Sequence, residues 1–271
     1  MRKFSQRMLT SLIGIAICLV CILLSSLPWM KPLFNALVAL LVALSMKEYF
    51  RLARAAGCRP RENLAIVGAV AYILALSTGS VATAACAAAL AAASLPISFL
   101  IEGKNPLLNS AVSLFGLIYL ALPLGCAFSI NYFYPDFQGR FWLLYLLAVT
   151  KVSDTGAYFT GKLAGFRLLA PEVSPNKTVE GAFGGLLSAL ATSLILPPFF
   201  KLALSPLQRL ALGLILFLLA TAGDLVESLL KREAKVKDSG RIPGLGGMLD
   251  IVDSLIFTLP FMYLYLLAYG E

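Results

Sequence analysis

The residues able to do chemistry in this chain are carboxylates, lysines and arginines, and they crowd into one stretch, Gly223 to Ser254, GDLVESLLKREAKVKDSGRIPGLGGMLDIVDS. It holds six of the fourteen acidic residues, at positions 224, 227, 233, 238, 250 and 253, and five of the twenty-two basic ones. Apolar runs flank it on both sides, and charge at such depth is costly enough that it usually marks function. Read as a helix continuing the apolar run before it, Asp224 to Lys231 brings Asp224, Glu227 or Ser228, and Lys231 onto one face. Lys231, Arg232, Lys235, Lys237 and Asp238 follow as a cationic cluster suited to a polyphosphate. The segment SGRIPGLGG then breaks the helix, and Gly246 and Gly247 within it allow backbone N–H groups to approach a ligand. Asp250 and Asp253 are spaced to sit one helical turn apart at the start of the last apolar run, projecting together near a helix N-terminus.

Carboxylates meeting across adjacent helices make an oxygen-rich pocket for a divalent metal, with Lys and Arg beside it for phosphate oxygens. That is the equipment of phosphoryl or nucleotidyl transfer. The competing reading is a solvated cytoplasmic loop with ordinary ion pairs. The placement of Asp224, Asp250 and Asp253 at membrane edges rather than in mid-loop favours the site. The residues alone leave two classes open, a metal-dependent enzyme and a cation-coupled transporter.

A second polar region precedes it. KVSDTGAYFTGKLAGF places Asp154 where an apolar helix enters the headgroup region, either as a charge reaching out to water or as part of the same site. The run Ser174-Pro175-Asn176-Lys177-Thr178 comes before a predicted helix that Thr178 or Asn176 could cap. A helix N-terminus beside a lysine and hydroxyls can cradle phosphate, although the spacing is not that of a Walker A loop.

The elements that must hold these residues are membrane helices. Of the 271 residues 59% are hydrophobic and only 13% charged, where soluble domains carry about 25% charged residues. A span needs roughly 20 apolar residues, and the sequence predicts an all-α, polytopic integral membrane helix bundle of about nine transmembrane helices, near 9–29, 33–46, 63–79, 81–101, 107–130, 141–160, 178–200, 207–227 and 250–269. The third and fourth are separated by little more than Ser80 and read as a tight hairpin. With the N-terminus inside and the C-terminus outside, 18 of the 22 basic residues fall on the cytoplasmic side, as the positive-inside rule asks. The expectation is therefore a cell-membrane protein whose active site faces the cytoplasm. Residues 1–130 read as a scaffold of about five helices, and 131–271 as a catalytic region with cytoplasmic loops 161–177 and 228–249. The basic segment from Lys47 to Arg61 reads as a solvated, lipid-facing loop.

Composition also excludes. The net charge of +8 sits in short loops, where topology and anionic lipid account for it, and no nucleic-acid module accompanies it. Cys18, Cys21, Cys58, Cys86 and Cys126 form no metal-ligand pattern. There is no histidine, so acid–base or metal chemistry must lean on carboxylates, which suit hard cations such as Mg2+.

The stretch from Gly223 to Ser254 resembles the C-terminal signature of the CDP-diacylglycerol synthases, the phosphatidate cytidylyltransferases. That pattern, S-x-x-K-R-x4-K-D-x5-P-G-H-G-G-x-x-D-R-x-D, is met here by Ser228, Lys231, Arg232, Lys237, Asp238, Pro243, Gly244, Gly246, Gly247, Asp250 and Asp253. SDTGAYFTG at 153–161 and SPNKTVEG at 174–181 are similar to further family segments. Leu245 stands where the family has histidine and Ile251 where it has arginine, and the spacer before Pro243 is one residue shorter. The likeness is specific over about residues 140–270.

The resemblance implies transfer of cytidylate from CTP to phosphatidate, with release of pyrophosphate, a requirement for Mg2+ with a second cation as an option, and a homodimer in the lipid membrane. It implies metal ligation by Asp224, Asp250, Asp253 and Asp154. Catalytic roles fall to the first three of these with Lys231, and substrate binding to Ser174, Asn176, Lys177, Thr178, Ser228, Arg232, Lys237, Asp238, Gly246 and Gly247. A related CTP-dependent enzyme acting on another lipid acceptor, a cation-coupled transporter and a non-catalytic relative are the alternatives.

Overall fold

The structure is a computed structural model and describes residues 14, 16–100, 105–236, 239–240 and 247–270. The chain is helical almost throughout: α1 (Ala16–Ser26), α2 (Met30–Ala55), α3 (Glu62–Leu76), α4 (Val81–Ile97), α5 (Pro106–Asn131), α6 (Gly139–Ala164), α7 (Val179–Phe199), α8 (Pro206–Glu233), α9 (Met248–Val252) and α10 (Leu255–Tyr269). Among the described residues one two-stranded antiparallel ribbon interrupts them, β1 (Leu168–Ala170) with β2 (Ser174–Thr178). Five stretches among the described residues are long and apolar enough to cross a membrane, namely α2, α5, α7, α8 and Met248–Tyr269. The helices α1, α3 and α4 are apolar but shorter. The chain is an all-α integral membrane protein.

Contacts divide it into two compact units. The first comprises Met1–Ser129 and Leu230–Val252. Within it α2 runs eight residues past Lys47, so the expected basic loop begins as helix. Lys47, Arg51 and Arg54 recur at helical spacing and are good helix formers, which carries the helix outward until Gly57, at φ +91°, turns the chain. The segment after the turn is pinned rather than free. Arg59 N donates to Asn109 Oδ1 at 2.7 Å, Arg61 N donates to Ser113 Oγ at 3.0 Å, and the Arg61 guanidinium lies 4.7 Å from the centre of the Phe99 ring. The α3–α4 hairpin forms as its sequence predicts: Gly79 adopts φ +74°, and Ser80 Oγ accepts from Thr83 N at 3.3 Å to cap α4.

The second unit comprises Ile130–Leu229 and Asp253–Glu271. Its central feature is the close packing of α6 on α7 through small residues. A Cβ added at Gly184 would land on the Thr160 side chain, and one at Gly156 on Ser188. Ser153 Oγ donates to the Gly185 carbonyl at 3.1 Å across the same seam. The ribbon β1–β2 fills the segment expected to be loop. Pro175, Asn176 and Lys177 are poor strand formers, so the ribbon rests on its placement. Val179 N donates to the Arg167 carbonyl at 2.9 Å, and Glu180 Oε2 accepts from Phe166 N at 3.0 Å and Arg167 N at 3.1 Å. Thr178, not Asn176, caps α7, its Oγ1 accepting from Gly181 N at 3.1 Å.

The α6–α7 seam yields a stability prediction. Gly184→Leu overpacks it at a cost of about 1–3 kcal/mol, and the melting temperature of the detergent-solubilised protein should fall by several degrees. An unchanged melting temperature would show that the two helices re-space freely.

Candidate functional site

Helix α8 continues unbroken past its apolar run to Glu233, so Asp224 and Glu227 stand one turn apart on it. Facing them is the turn at Asp253–Ser254, where the helical path lapses between α9 and α10. Gly223 permits the approach, since a Cβ there would fall on the Asp253 carbonyl oxygen. The result is a cluster in which one carboxylate oxygen from each of Asp224, Glu227 and Asp253 lies within 4.8 Å of the others. Glu227 and Asp253 are buried and Asp224 is partly exposed.

Two lysines bring counter-charge into the same unit. Lys177, on β2, places its Nζ 2.6 Å from Asp224 Oδ2. Lys151, on α6, donates to Ser254 Oγ at 2.8 Å, and its Nζ is 3.5 Å from Asp154 Oδ2. Beside them opens a cavity of about 450 Å³. Asp154, Lys162, Asn176, Lys177, Thr178 and Asp224 line its polar side, and Tyr158 and Phe217 give it an apolar wall. Negative charge in a low-dielectric setting demands compensation. The donors of the cluster are all carboxylate oxygens, a set that suits a hard divalent cation over one preferring nitrogen or sulfur.

A separate group lies wholly in the first unit. Asp250, at the third position of α9, accepts from Lys231 Nζ at 2.8 Å through Oδ1 and from Gly247 N at 2.7 Å through Oδ2. The second contact is half of a capping box. Asp250 and Asp253 thus take different partners, because α9 ends at Val252 and Asp253 enters the turn.

Ser174 opens β2 opposite Ala170, and it is not among the cavity's lining residues. Ser228 is buried on α8, and Arg232 is exposed near the end of that helix. Lys237, Asp238 and Gly246 lie outside the described residues, as does Leu245. The sequence names Glu227 only as sharing a face with Asp224 and Lys231, not as a ligand. Lys151 enters there only as one of the 18 basic residues on the cytoplasmic side. Glu48, whose Oε2 accepts from Leu249 N at 2.8 Å and Ser239 Oγ at 3.2 Å, had no local signal at all.

Comparison with known proteins places this geometry in context. A family model described as "Cytidylyltransferase family" matches residues 5–269. The chain is 37% identical over 172 residues to a protein of Chlamydia muridarum named phosphatidate cytidylyltransferase, covering 60% of this chain and 56% of the relative. A Bacillus subtilis protein of the same name is 47% identical over 134 residues, 49% of each chain. A third, from Staphylococcus epidermidis, is 37% identical over 175 residues, 63% of this chain and 65% of the relative. The chain thus spans about half to two thirds of the length of these curated relatives.

The cluster makes a binding prediction independent of any reaction. Glu227→Gln should weaken Mn2+ binding, followed by electron paramagnetic resonance, by more than the roughly 10- to 100-fold that loss of a group merely supporting a ligand costs, while leaving the fold intact. Equal affinity in the variant would remove Glu227 from the ligand set.

Proposed function

The chain belongs to the cytidylyltransferase family, and on that premise we propose that it transfers cytidylate from CTP to phosphatidate, giving CDP-diacylglycerol and pyrophosphate in phospholipid biosynthesis. The observation that carries the reading is the carboxylate cluster of Asp224, Glu227 and Asp253 beside a lysine-bearing cavity. The name shared by the three relatives supports the choice of substrates.

The reaction asks little covalent chemistry of the protein. A phosphate oxygen of phosphatidate, already anionic, attacks the α-phosphorus of CTP. The bond to the bridging oxygen of the β-phosphate breaks, and pyrophosphate leaves with that electron pair. No strong general base is required, which suits a chain without histidine. What it needs is positioning and neutralisation of charge. Lys177 stands at the cavity edge, where it can exchange Asp224 for a phosphate oxygen. Lys151 is held by Asp154 and Ser254 as a fixed positive charge, so Asp154 serves this lysine in the proposed scheme. Asp250 holds Lys231 in a defined direction. Asp224, Glu227 and Asp253 would hold Mg2+, and when bound it neutralises charge on the triphosphate and on the departing pyrophosphate.

The same reading extends to the membrane. In this proposal α1, α3, α4 and the 26-residue α6 cross the membrane beside the five long apolar stretches found among the described residues, which would make nine spans. We place the site on the cytoplasmic side, with the N-terminus inside and the C-terminus outside, and take the working unit to be a homodimer. Reporter fusions at the two ends should report opposite sides of the membrane, and the same side for both would sink the nine-span arrangement.

The assay that tests the reaction is radiolabelled CTP with purified protein and phosphatidate, with and without Mg2+. Lipid-linked cytidylate and pyrophosphate should appear only when all three are present. No product from well-folded protein would reject the proposal and leave ion-driven transport in liposomes as the next trial. Asp250→Asn should lower turnover by about two orders of magnitude or more with the melting temperature unchanged, whereas near-normal turnover would take Asp250 out of the mechanism.

A further inference from the structure

Helix α9 begins at a glycine. Gly247 occupies its N-cap and has no side chain to accept the free N–H groups of the first turn. The glycine is required by crowding, because a Cβ at this position would fall on Ser239 Oγ and within 2.6 Å of Gly240 N and of Glu48 Oε2. The missing acceptor comes from another helix. Glu48, on α2, is about two hundred positions away in sequence, and its Oε2 accepts from Leu249 N at 2.8 Å. The same oxygen accepts from Ser239 Oγ at 3.2 Å, and Ser239 and Leu249 are both fully buried. Asp250, next along the helix, completes the other half of the cap through Gly247 N and presents its second oxygen to Lys231.

We propose that Glu48 is a positioning residue for the transfer reaction: by supplying the cap that Gly247 lacks, it fixes the first turn of α9 and so the direction in which Asp250 holds Lys231. The proposal rests on the cytidylyltransferase reading given above. Glu48 touches no reacting atom; it acts through Leu249 and Ser239. A carboxylate serves here because one oxygen must accept two hydrogen bonds next to a helix N-terminus, where negative charge is favoured.

The test compares Glu48→Ala with Glu48→Gln in the CTP assay on the full-length protein. Glu48→Ala should lower kcat by about 10- to 100-fold, as a displaced catalytic group does, with KM for phosphatidate unchanged. Glu48→Gln keeps an acceptor oxygen and should restore most of that loss. In an Asp250→Asn background the further effect of Glu48→Ala should be less than about twofold, because residues acting as a unit are not additive. A merely structural role would instead lower the folded yield and melting temperature of the alanine variant and leave the kcat of the folded fraction alone. A kcat for Glu48→Ala within about twofold of the parent, or full additivity with Asp250→Asn, overturns the proposal while leaving the reaction standing. Absence of turnover in the parent protein overturns the reaction itself, and this role with it.

Discussion

Carboxylates buried near one another inside an apolar helical bundle are the constraint from which the rest of this structure follows. Asp224, Glu227 and Asp253 offer oxygens within 4.8 Å of one another, and ions removed from water on that scale are tolerated only when opposite charge or hydrogen-bond donors surround them. The second unit meets this demand from three directions. Lys177 comes from a ribbon, Lys151 from the neighbouring helix, and backbone N–H of Ser254 from the turn itself. The Ser254 N–H is local to Asp253, but Lys177 and Lys151 are far from the cluster in sequence, so the bundle must be assembled before their charge can compensate it.

Much of the fold was legible because it is written in hydropathy. A chain that is 59% hydrophobic, with apolar runs near helix-spanning length, has few options besides helices in lipid. The α3–α4 hairpin was equally plain, since a glycine followed by a capping serine is a local device. The continuation of α8 through Asp224 to Lys231 was legible for the same reason, as nothing in that stretch disfavours a helix, and the helix runs on to Glu233 into the segment expected to be loop from 228.

What escaped reading depends on tertiary placement. The ribbon at 168–178 contains a proline and poor strand formers, and it exists because Glu180 and the start of α7 hold its ends. The spacing of Asp250 and Asp253 suggested one shared face, yet the helix ends between them and each carboxylate takes other partners. Glu48 lay in a segment read as a basic lipid-facing loop; only the packing of α9 on α2 gives it a task. Local pattern reports which residues can carry charge into the membrane, and the partners that make this bearable come from elsewhere in the chain.

The glycines at 156, 184 and 223 bear on how such a sequence can change. At each of them the glycine main chain lies directly against a neighbouring element, the Ser188 side chain at Gly156, the Thr160 side chain at Gly184 and the Asp253 carbonyl at Gly223, so the spacing of α6 from α7, and of α8 from the Asp253 turn, is set at positions that bear no side chain of their own. The outward faces of these helices, carrying Phe183, Leu187, Leu214 and Leu218, take no part in setting it. Those faces are free to drift with the thickness and chemistry of whatever bilayer the cell makes, while the distances among the buried carboxylates stay where three absent side chains have put them.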